Sequence, residues 1–261
     1  MASREDIYAN RIFLNSVLPL LKVIVQSKEN LKNKFKGKNA SIQISAKDPE
    51  GKVATHFIIQ NGEWTVGLGV TDKPDLELEF KSIPYLNSFF AGKSKRLPRI
   101  IGLRNLGLLL GLLSALTTMA KMLSATEPPK KEDEKELLVK LYFYLLSSGI
   151  SQLNKAGHPE VSSWARKSPD RVYAWTVTGK PELSAYLRVK AGNTMAARGQ
   201  YKRSKPFFTM RFSSADAALG ILLQKDDMIA ATIDERIIME GAPEYGAQIG
   251  EYMLLVGLFA K

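Results

Sequence analysis

The sequence contains few residues suited to catalysis or metal binding. Its only histidines are His56 and His158, and it has no cysteine. It can therefore form no disulfide and has no thiolate nucleophile, and two histidines are a poor set for a metal centre or an activated nucleophile. No phosphate-binding loop, GxSxG or HExxH motif is present. Carboxylates cluster in one predicted loop, at Asp226-Asp227 and Asp234-Glu235, where a solvated turn is a simpler interpretation than a metal or acid pair. We predict no catalytic residue, metal or cofactor, and a protein that is not an enzyme.

Two similar segments organise the chain. They read DLELEFKSIPYLNSFFAGK at 75–93 and FFTMRFSSADAALGILLQK at 207–225, with a constant offset of 132. Upstream the offset is 130, in an ordered series of pairs: Phe13 with Phe143, Ile42 with Val172, Ile44 with Ala174, Phe57 with Leu187, Ile59 with Val189, Gly62 with Gly192, and Gly69 with Gly199. A repeated offset is what a duplicated domain produces. We predict one copy over 1–125, a charged linker over 126–136, and a second copy over 137–261.

Each predicted copy is an α+β domain. The order is a helix, four strands, a Ser-capped helix, a short strand and an apolar helix. This order favours a five-stranded, mainly antiparallel sheet covered by helices. In the first copy, Pro19 interrupts the first helix. The strand 75–80 alternates, so Glu77 and Glu79 are expected on a face away from the core.

The closing helix of the first copy is predicted over Leu103–Leu123 and is apolar nearly all round. Such a helix is buried in protein or lies in lipid. Its uncharged run, 106–120, is shorter than the roughly 18 residues of a membrane span. Gly107 and Gly111 form a GxxxG pattern, which permits close backbone approach. We therefore favour a helix that covers an apolar cavity or an interface over a transmembrane helix.

The end of each copy resembles the sterol carrier protein type 2 superfamily. In the second copy the resemblance lies in FTMRFSSADAALGILLQKDD followed by RIIMEGAPEYGAQIGEYM. It implies a five-stranded sheet with helices enclosing a hydrophobic tunnel, which carries fatty acyl chains, sterols or other lipids without catalysis. The first copy departs from this pattern in two ways. The segment before its closing helix, 98–102 (PRIIG), is shorter, and the closing helix itself is far more hydrophobic.

The apolar residues of the late helices are the candidates for the wall of such a tunnel. Ligand pockets are mostly apolar, and flexible methionines adapt to irregular ligands. The predicted tunnel residues are Phe89, Phe90, Leu106, Leu109, Leu110, Leu113, Met119, Leu222, Met239, Tyr245, Ile249 and Met253.

The chain is basic, with a formal net charge of +11. Residues 1–126 hold 18 Lys+Arg against 10 Asp+Glu, while residues 127–261 hold 19 against 16. The excess clusters at 28–38 and 93–104. It fits solvated surface charge, an anionic membrane surface or nucleic acid, and nucleic acid is disfavoured because 28–38 offers one aromatic residue for stacking. The predicted membrane-surface contacts are Lys32, Lys34, Lys36, Lys93, Lys95 and Arg96.

The sequence as a whole favours non-enzymatic binding or transfer of a fatty acyl, sterol-like or isoprenoid lipid. The alternative is a protein-interaction or homodimerisation module that uses the helix 103–123. The start of the chain, MASREDIYANRIF, lacks a signal-peptide pattern, so we expect a cytoplasmic protein with peripheral membrane association.

Overall fold

The computed structural model describes residues 2–260. The chain forms two compact units, one of Met1–Lys121 with Phe259–Lys261 and the other of Met122–Leu258. The first long helix after the boundary begins at Glu132, so the second half of the predicted linker 126–136 is helical.

The first unit opens with a helical run and continues into a sheet. Its elements are α1 (Arg4–Ile12), a π-helical turn (Phe13–Val17), α2 (Leu20–Ser27), α3 (Glu29–Phe35), β1 (Ala40–Ala46), β2 (Val53–Gln60), β3 (Glu63–Leu68), β4 (Leu76–Phe80), α4 (Ile83–Phe90), β5 (Arg99–Ile101) and α5 (Leu106–Leu123). The π-helical turn lies directly before Pro19, where the sequence predicts the interruption.

The second unit repeats this order with one additional short helix. Its elements are α6 (Glu132–Lys155), α7 (Pro159–Lys167), β6 (Arg171–Val177), β7 (Lys180–Lys190), β8 (Asn193–Arg198), β9 (Phe208–Phe212), α8 (Ala215–Leu222), α9 (Met228–Ile233), β10 (Ile237–Glu240) and α10 (Pro243–Phe259). The sequence did not predict α9, which occupies the loop of clustered carboxylates. Asp227 caps it by accepting a hydrogen bond from the Ala230 N–H at 2.9 Å.

Both sheets have the same strand order. The first is β3-β2-β1-β4-β5 and the second, read in the same direction, is β8-β7-β6-β9-β10. The central pairs β1–β4 and β6–β9 are parallel, and the other pairs are antiparallel. The predicted α+β class with two five-stranded sheets is therefore confirmed.

The register of β6 differs by one residue from the predicted alignment. Tyr173 lies opposite Leu187 just as Ile42 lies opposite Phe57, so Tyr173 and not Val172 is the counterpart of Ile42. The next predicted pair, Ile44 with Ala174, shifts in the same way. All residues from 172 to 175 are apolar and buried, so hydrophobicity alone does not show which of them face the helices.

The Ser-capped helices occur in both units as predicted. The Ser82 hydroxyl accepts a hydrogen bond from the Tyr85 N–H at 3.4 Å, and the Ser214 hydroxyl accepts one from the Ala217 N–H at 3.1 Å. Each satisfies a donor in the first turn that has no partner within the helix.

The acidic side of β4 is buried, contrary to the sequence expectation. Glu77 and Glu79 are only 5% and 6% exposed. The Lys52 ammonium lies 2.8 Å from a carboxylate oxygen of each, and Gln43 and Ser45 donate hydrogen bonds to Glu77 at 2.8 and 2.6 Å. The alternation of apolar and acidic residues along β4 predicts that these carboxylates lie on the opposite face from Leu76 and Leu78. It cannot show that side chains from β1 and the β1–β2 turn cover that face.

This cluster holds both carboxylates in their charged form. Burial on its own would raise the pKa of Glu77, but the hydrogen bonds from Lys52, Ser45 and Gln43 outweigh it and leave that pKa below its ordinary value. The hydrogen bond from Lys52 likewise lowers the pKa of Glu79. A group whose pKa is lower in the folded than in the unfolded state stabilises the fold above its unfolded pKa, and this contribution is lost as the pH falls through the folded pKa.

We predict that Glu77→Gln lowers the free energy of unfolding at neutral pH by about 1–3 kcal/mol, because a buried hydrogen-bonded charge is lost. Below about pH 5 the free energy of unfolding of the wild type should fall progressively toward that of the variant. The free energy of unfolding of the variant should depend less steeply on pH. Urea unfolding across this range is the measurement. Glu50→Gln, at an exposed position of the neighbouring turn, is the control and should follow the wild type. An unchanged pH dependence in Glu77→Gln would contradict the assignment.

Candidate apolar-ligand site

The start of α5 is fixed by a turn that only glycine allows. Gly102 has φ +89°, and a Cβ at this position would lie 2.0 Å from the Asp75 carbonyl oxygen. The Asn105 side-chain amide donates to the same carbonyl at 3.4 Å. The loop between β5 and α5 is thereby held against the start of β4.

The inner face of α5 packs against the aromatic core of the first unit. A Cβ on Gly111 would lie 2.8 Å from Phe35 Cζ, so the helix backbone rests on that ring. Phe35 is fully buried and meets Trp64 edge-on, with ring centroids 4.9 Å apart. The buried residues of α5 are Leu108, Leu109, Gly111, Leu112, Ala115 and Met119.

The outer face of α5 is apolar and open to solvent. Leu106 and Leu110 are 61% and 64% exposed, and Leu113 is exposed as well. These three predicted tunnel residues therefore do not line an enclosed tunnel in this structure. A helix that is apolar all round has no polar side to mark its solvent face, so the sequence pattern could not separate them from Leu109 and Met119, which are buried.

The two predicted tunnel residues on α4 lie at the edge of the core. Phe89 and Phe90 are half-buried, and their ring centroids lie 5.2 and 5.9 Å from that of Phe80 on β4. Phe90 also lies 5.9 Å from Phe13 in the π-helical turn. They form one aromatic cluster between the sheet and the first helices.

In the second unit, α10 supplies three of the predicted tunnel residues. Ile249 and Met253 are buried, and the Trp175 indole N–H points at the Met253 sulfur at 3.3 Å. Tyr245 is half-buried and meets Phe207 with ring centroids 4.7 Å apart.

The remaining two predicted tunnel residues of this unit lie on other elements. Met239 on β10 approaches α10 at Gly246, where a Cβ would lie 2.9 Å from its sulfur. Leu222 is half-buried at the end of α8.

Two open clefts are lined mainly by polar side chains. One, of about 410 Å³, lies in the second unit beside Trp164, Arg171 and Tyr252. The other, of about 230 Å³, lies in the first unit between α3 and the turn around Gly62. No predicted tunnel residue lines either cleft. The candidate ligand contacts are thus the apolar faces of the closing helices and not these two clefts.

The larger cleft combines two aromatic side chains with Arg171 and Lys167, a combination that the sequence analysis missed. The Trp164 and Tyr252 rings lie 5.1 Å apart. Outside the lining, the Arg171 guanidinium lies 4.1 Å from the Phe207 ring centroid and 4.8 Å from that of Tyr245. Burial raises the pKa of Tyr252 to about 12, so its hydroxyl remains protonated at neutral pH.

The predicted membrane contacts fall into two groups on the first unit. Lys32 and Lys34 are exposed on α3 and Lys36 directly after it, and Lys93, Lys95 and Arg96 are exposed between α4 and β5. The Lys34 ammonium donates to the Ser114 hydroxyl at 3.1 Å, which joins α3 to α5.

The two histidines lie in different units. The imidazole of His56 covers Gly67, where a Cβ would lie 2.1 Å from Nε2, and its Nδ1 lies 2.8 Å from the Gly69 carbonyl oxygen. The absence of a side chain at Gly67 thus makes room for this ring. His158 precedes α7, and burial lowers its pKa. Within residues 2–260 no group of three or more His, Asp and Glu side chains is placed to hold a metal ion.

Among residues 2–260, two helical runs are long and apolar enough to cross a membrane by length and composition alone. They are Arg4–Ser27 and Leu106–Leu123. The apolar window of the first is 72% buried within the protein, as expected for a core helix, whereas that of the second is 33% buried.

The comparisons with known proteins do not establish a family. No protein-family model and no curated protein matches the chain. Among solved structures, the chain is similar to a conserved hypothetical protein of Thermus thermophilus described as a possible sterol carrier protein, at 14% identity and a TM-score of 0.26. That overlap covers 46% of this chain and 84% of the other.

A second similar structure is the stereoselective inverting sec-alkylsulfatase of a Pseudomonas species, at 13% identity and a TM-score of 0.26. The overlap covers 56% of this chain but only 28% of the sulfatase. A double mutant of the same sulfatase gives the same identity and TM-score. Overlaps at these TM-scores do not assign a function.

The two glycines of α5 provide a matched test of its close packing. Ala at Gly107 would meet only the Lys38 ammonium at 3.5 Å, whereas Ala at Gly111 would press on the buried Phe35 ring. Since both changes gain helix propensity, of up to about 1 kcal/mol, we predict that Gly111→Ala is less stable than Gly107→Ala by about 1–3 kcal/mol. Thermal and urea unfolding measure the difference. Equal stabilities would show that α5 does not pack tightly on Phe35.

Proposed function

We propose that the protein is a non-enzymatic lipid-binding protein that takes a fatty acyl, sterol-like or isoprenoid ligand along the apolar faces of its closing helices. The observation that carries this proposal is the incomplete burial of α5. The helix is apolar nearly all round, yet only 33% of the residues in Leu106–Leu123 are buried. Apolar surface exposed at this scale is costly in water, and a lipid chain could cover it.

The contacts of the closing helices support the same ligand class. Helix α5 contacts Phe35 at Gly111, and α10 contacts Met239 at Gly246. At these two points neither helix contributes a large side chain that interdigitates with its neighbour. In α10 the buried Met253 packs on Trp175, and a flexible thioether can rearrange around an irregular apolar ligand. The resemblance of the sequence to the sterol carrier protein type 2 superfamily agrees with this proposal, and we propose a cytoplasmic location for the carrier.

Native mass spectrometry of the purified full chain, followed by denaturation and organic extraction, tests the proposal. We expect a non-covalent mass that is released as an acyl, sterol-like or isoprenoid compound, or uptake of such a compound when it is added. The stoichiometry then shows whether one or both units bind. A protein that is purified without ligand and takes up none of these lipids would overturn the proposal and favour an interaction module.

A charge introduced under α10 should prevent binding in the second unit. Met253→Glu buries an unpaired carboxylate beside Trp175, so we predict at least a tenfold loss of apolar-probe binding by this unit. Met195→Glu introduces the same charge at an exposed methionine and should bind as the wild type does. Met253→Leu keeps the volume and should retain binding. Circular dichroism checks that each variant is folded, and unchanged binding in folded Met253→Glu would remove this residue from the site.

A further inference from the structure

We propose that the first unit docks on anionic bilayers through the outer face of α5 and the loop before it. We call this surface the leucine face and define it by Leu97, Leu103, Leu106, Leu110 and Leu113, all of which are exposed. The proposal goes beyond cargo binding, because it concerns where the protein sits on a membrane and holds whether or not a lipid is carried.

Three of the exposed leucines lie on one side of α5. Leu106, Leu110 and Leu113 are spaced by four and three residues, which is the spacing of a single helix face, and Leu103 lies in the turn just before the helix. Leu97 is 72% exposed in the loop between α4 and β5. Contiguous exposed leucines of this kind mark an interaction site rather than ordinary surface.

The segment of the chain that carries the leucine face has charged residues of one sign. Residues 81–126 contain seven Lys+Arg and no Asp or Glu. Arg96 adjoins Leu97 and Arg104 adjoins Leu103, and both arginines are exposed. An exposed apolar stripe bordered by basic side chains matches an anionic lipid surface, where the leucines enter the acyl boundary and the cations meet the head groups.

Lys34 on α3 and Lys38 in the loop after it lie beside α5. The Lys34 ammonium reaches Ser114, and the Lys38 ammonium lies next to Gly107 and 5.8 Å from the Phe35 ring centroid. Their aliphatic stems therefore lie close to apolar helix surface while the charged ends remain at its border. Lysines in this position can extend to lipid head groups as the leucines beside them enter the bilayer.

The structure favours a bilayer surface over the other occupants of an apolar face. In a two-fold homodimer the same surface would meet itself, which would place one basic border against the other at the cost of like-charge repulsion. A nucleic acid would use the lysines but would leave the leucines in water. Because the opposite side of α5 is packed on Phe35, only its outer face is available to lipid, so α5 would lie in the interface rather than span it.

Co-sedimentation of the full chain with vesicles tests the docking surface. We use phosphatidylcholine vesicles with and without about 30% phosphatidylglycerol. Binding should be at least tenfold stronger to the anionic vesicles and should weaken with added salt, because salt screens the basic border. Equal binding to both vesicle types, or no binding to either, would overturn the proposal.

Paired variants distinguish binding through the leucine face from non-specific hydrophobic adsorption. Leu106→Gln/Leu110→Gln should lose at least tenfold in binding to anionic vesicles. Leu254→Gln/Leu258→Gln is the matched control, since this pair on α10 has the same spacing and is 61% and 68% exposed. The control should bind as the wild type does. All four positions are exposed, so both variants should fold, and circular dichroism verifies this.

A second pair tests the charge. Lys95→Glu/Arg96→Glu should lose binding to anionic vesicles, whereas Lys202→Glu/Arg203→Glu makes the same charge change at exposed positions of the second unit and should not. If a double variant and its matched control lost the same amount of vesicle binding, binding would depend on overall charge or hydrophobicity. That result would contradict the proposal.

Sedimentation velocity without lipid provides the remaining outcome. If the wild type self-associates and Leu106→Gln/Leu110→Gln is monomeric, the leucine face is an interface between copies of this chain and the membrane proposal is wrong. Failure of cargo binding in native mass spectrometry would leave vesicle binding unaffected, so the two proposals can fail separately.

Discussion

A helix packed on one layer of a protein can bury only the side that faces that layer. This constraint governs the first unit, because α5 is apolar on every side and meets the core along one of them. The close approach at Gly111 fixes which side is buried. The leucines on the other side are then left in water, and their exposure follows from the packing of the inner face. The candidate ligand contacts and the leucine face both derive from this arrangement.

The two units have the same sheet topology but different charged residues on it. Their sheets share strand order and pairing, yet the first has Glu77 and Glu79 on β4 where the second has Thr209 and Arg211 on β9. Arg211 pairs with Glu240 at 2.9 Å. The closing helices differ as well, since α10 carries Glu244 and Glu251 and α5 carries no acidic residue. A shared fold thus leaves the first unit with a basic, apolar surface and the second with a more balanced one.

The repeated pattern of the sequence predicts the fold well, and the side-chain environment less well. Alternation and capping residues locate the strands and the helices that begin at Ser82 and Ser214, because backbone geometry imposes those periods locally. The phase of β6 could not be read, since apolar residues occupy both of its faces.

The burial of Glu77 depends on Lys52, which is distant in sequence and lies in a turn. Likewise, hydrophobicity identifies α5 as unusual but cannot show which of Leu109 and Leu110 faces the core. Each of these outcomes depends on tertiary contacts that one-dimensional periodicity does not contain. The α9 helix was missed because its six residues are too short to show a period.

The parallel pairing of β1 with β4 has a consequence for the order of assembly. The pair joins residues 34 apart, such as Gln43 and Glu77, and the β2–β3 hairpin lies between them in the chain. Such non-local closure is slow compared with helix formation. β5 then adds to the edge at β4, and α5 follows it in the chain. During synthesis, all five strands of the sheet therefore precede the helix that covers Phe35, so the last side of this aromatic core to be closed is the one that α5 covers.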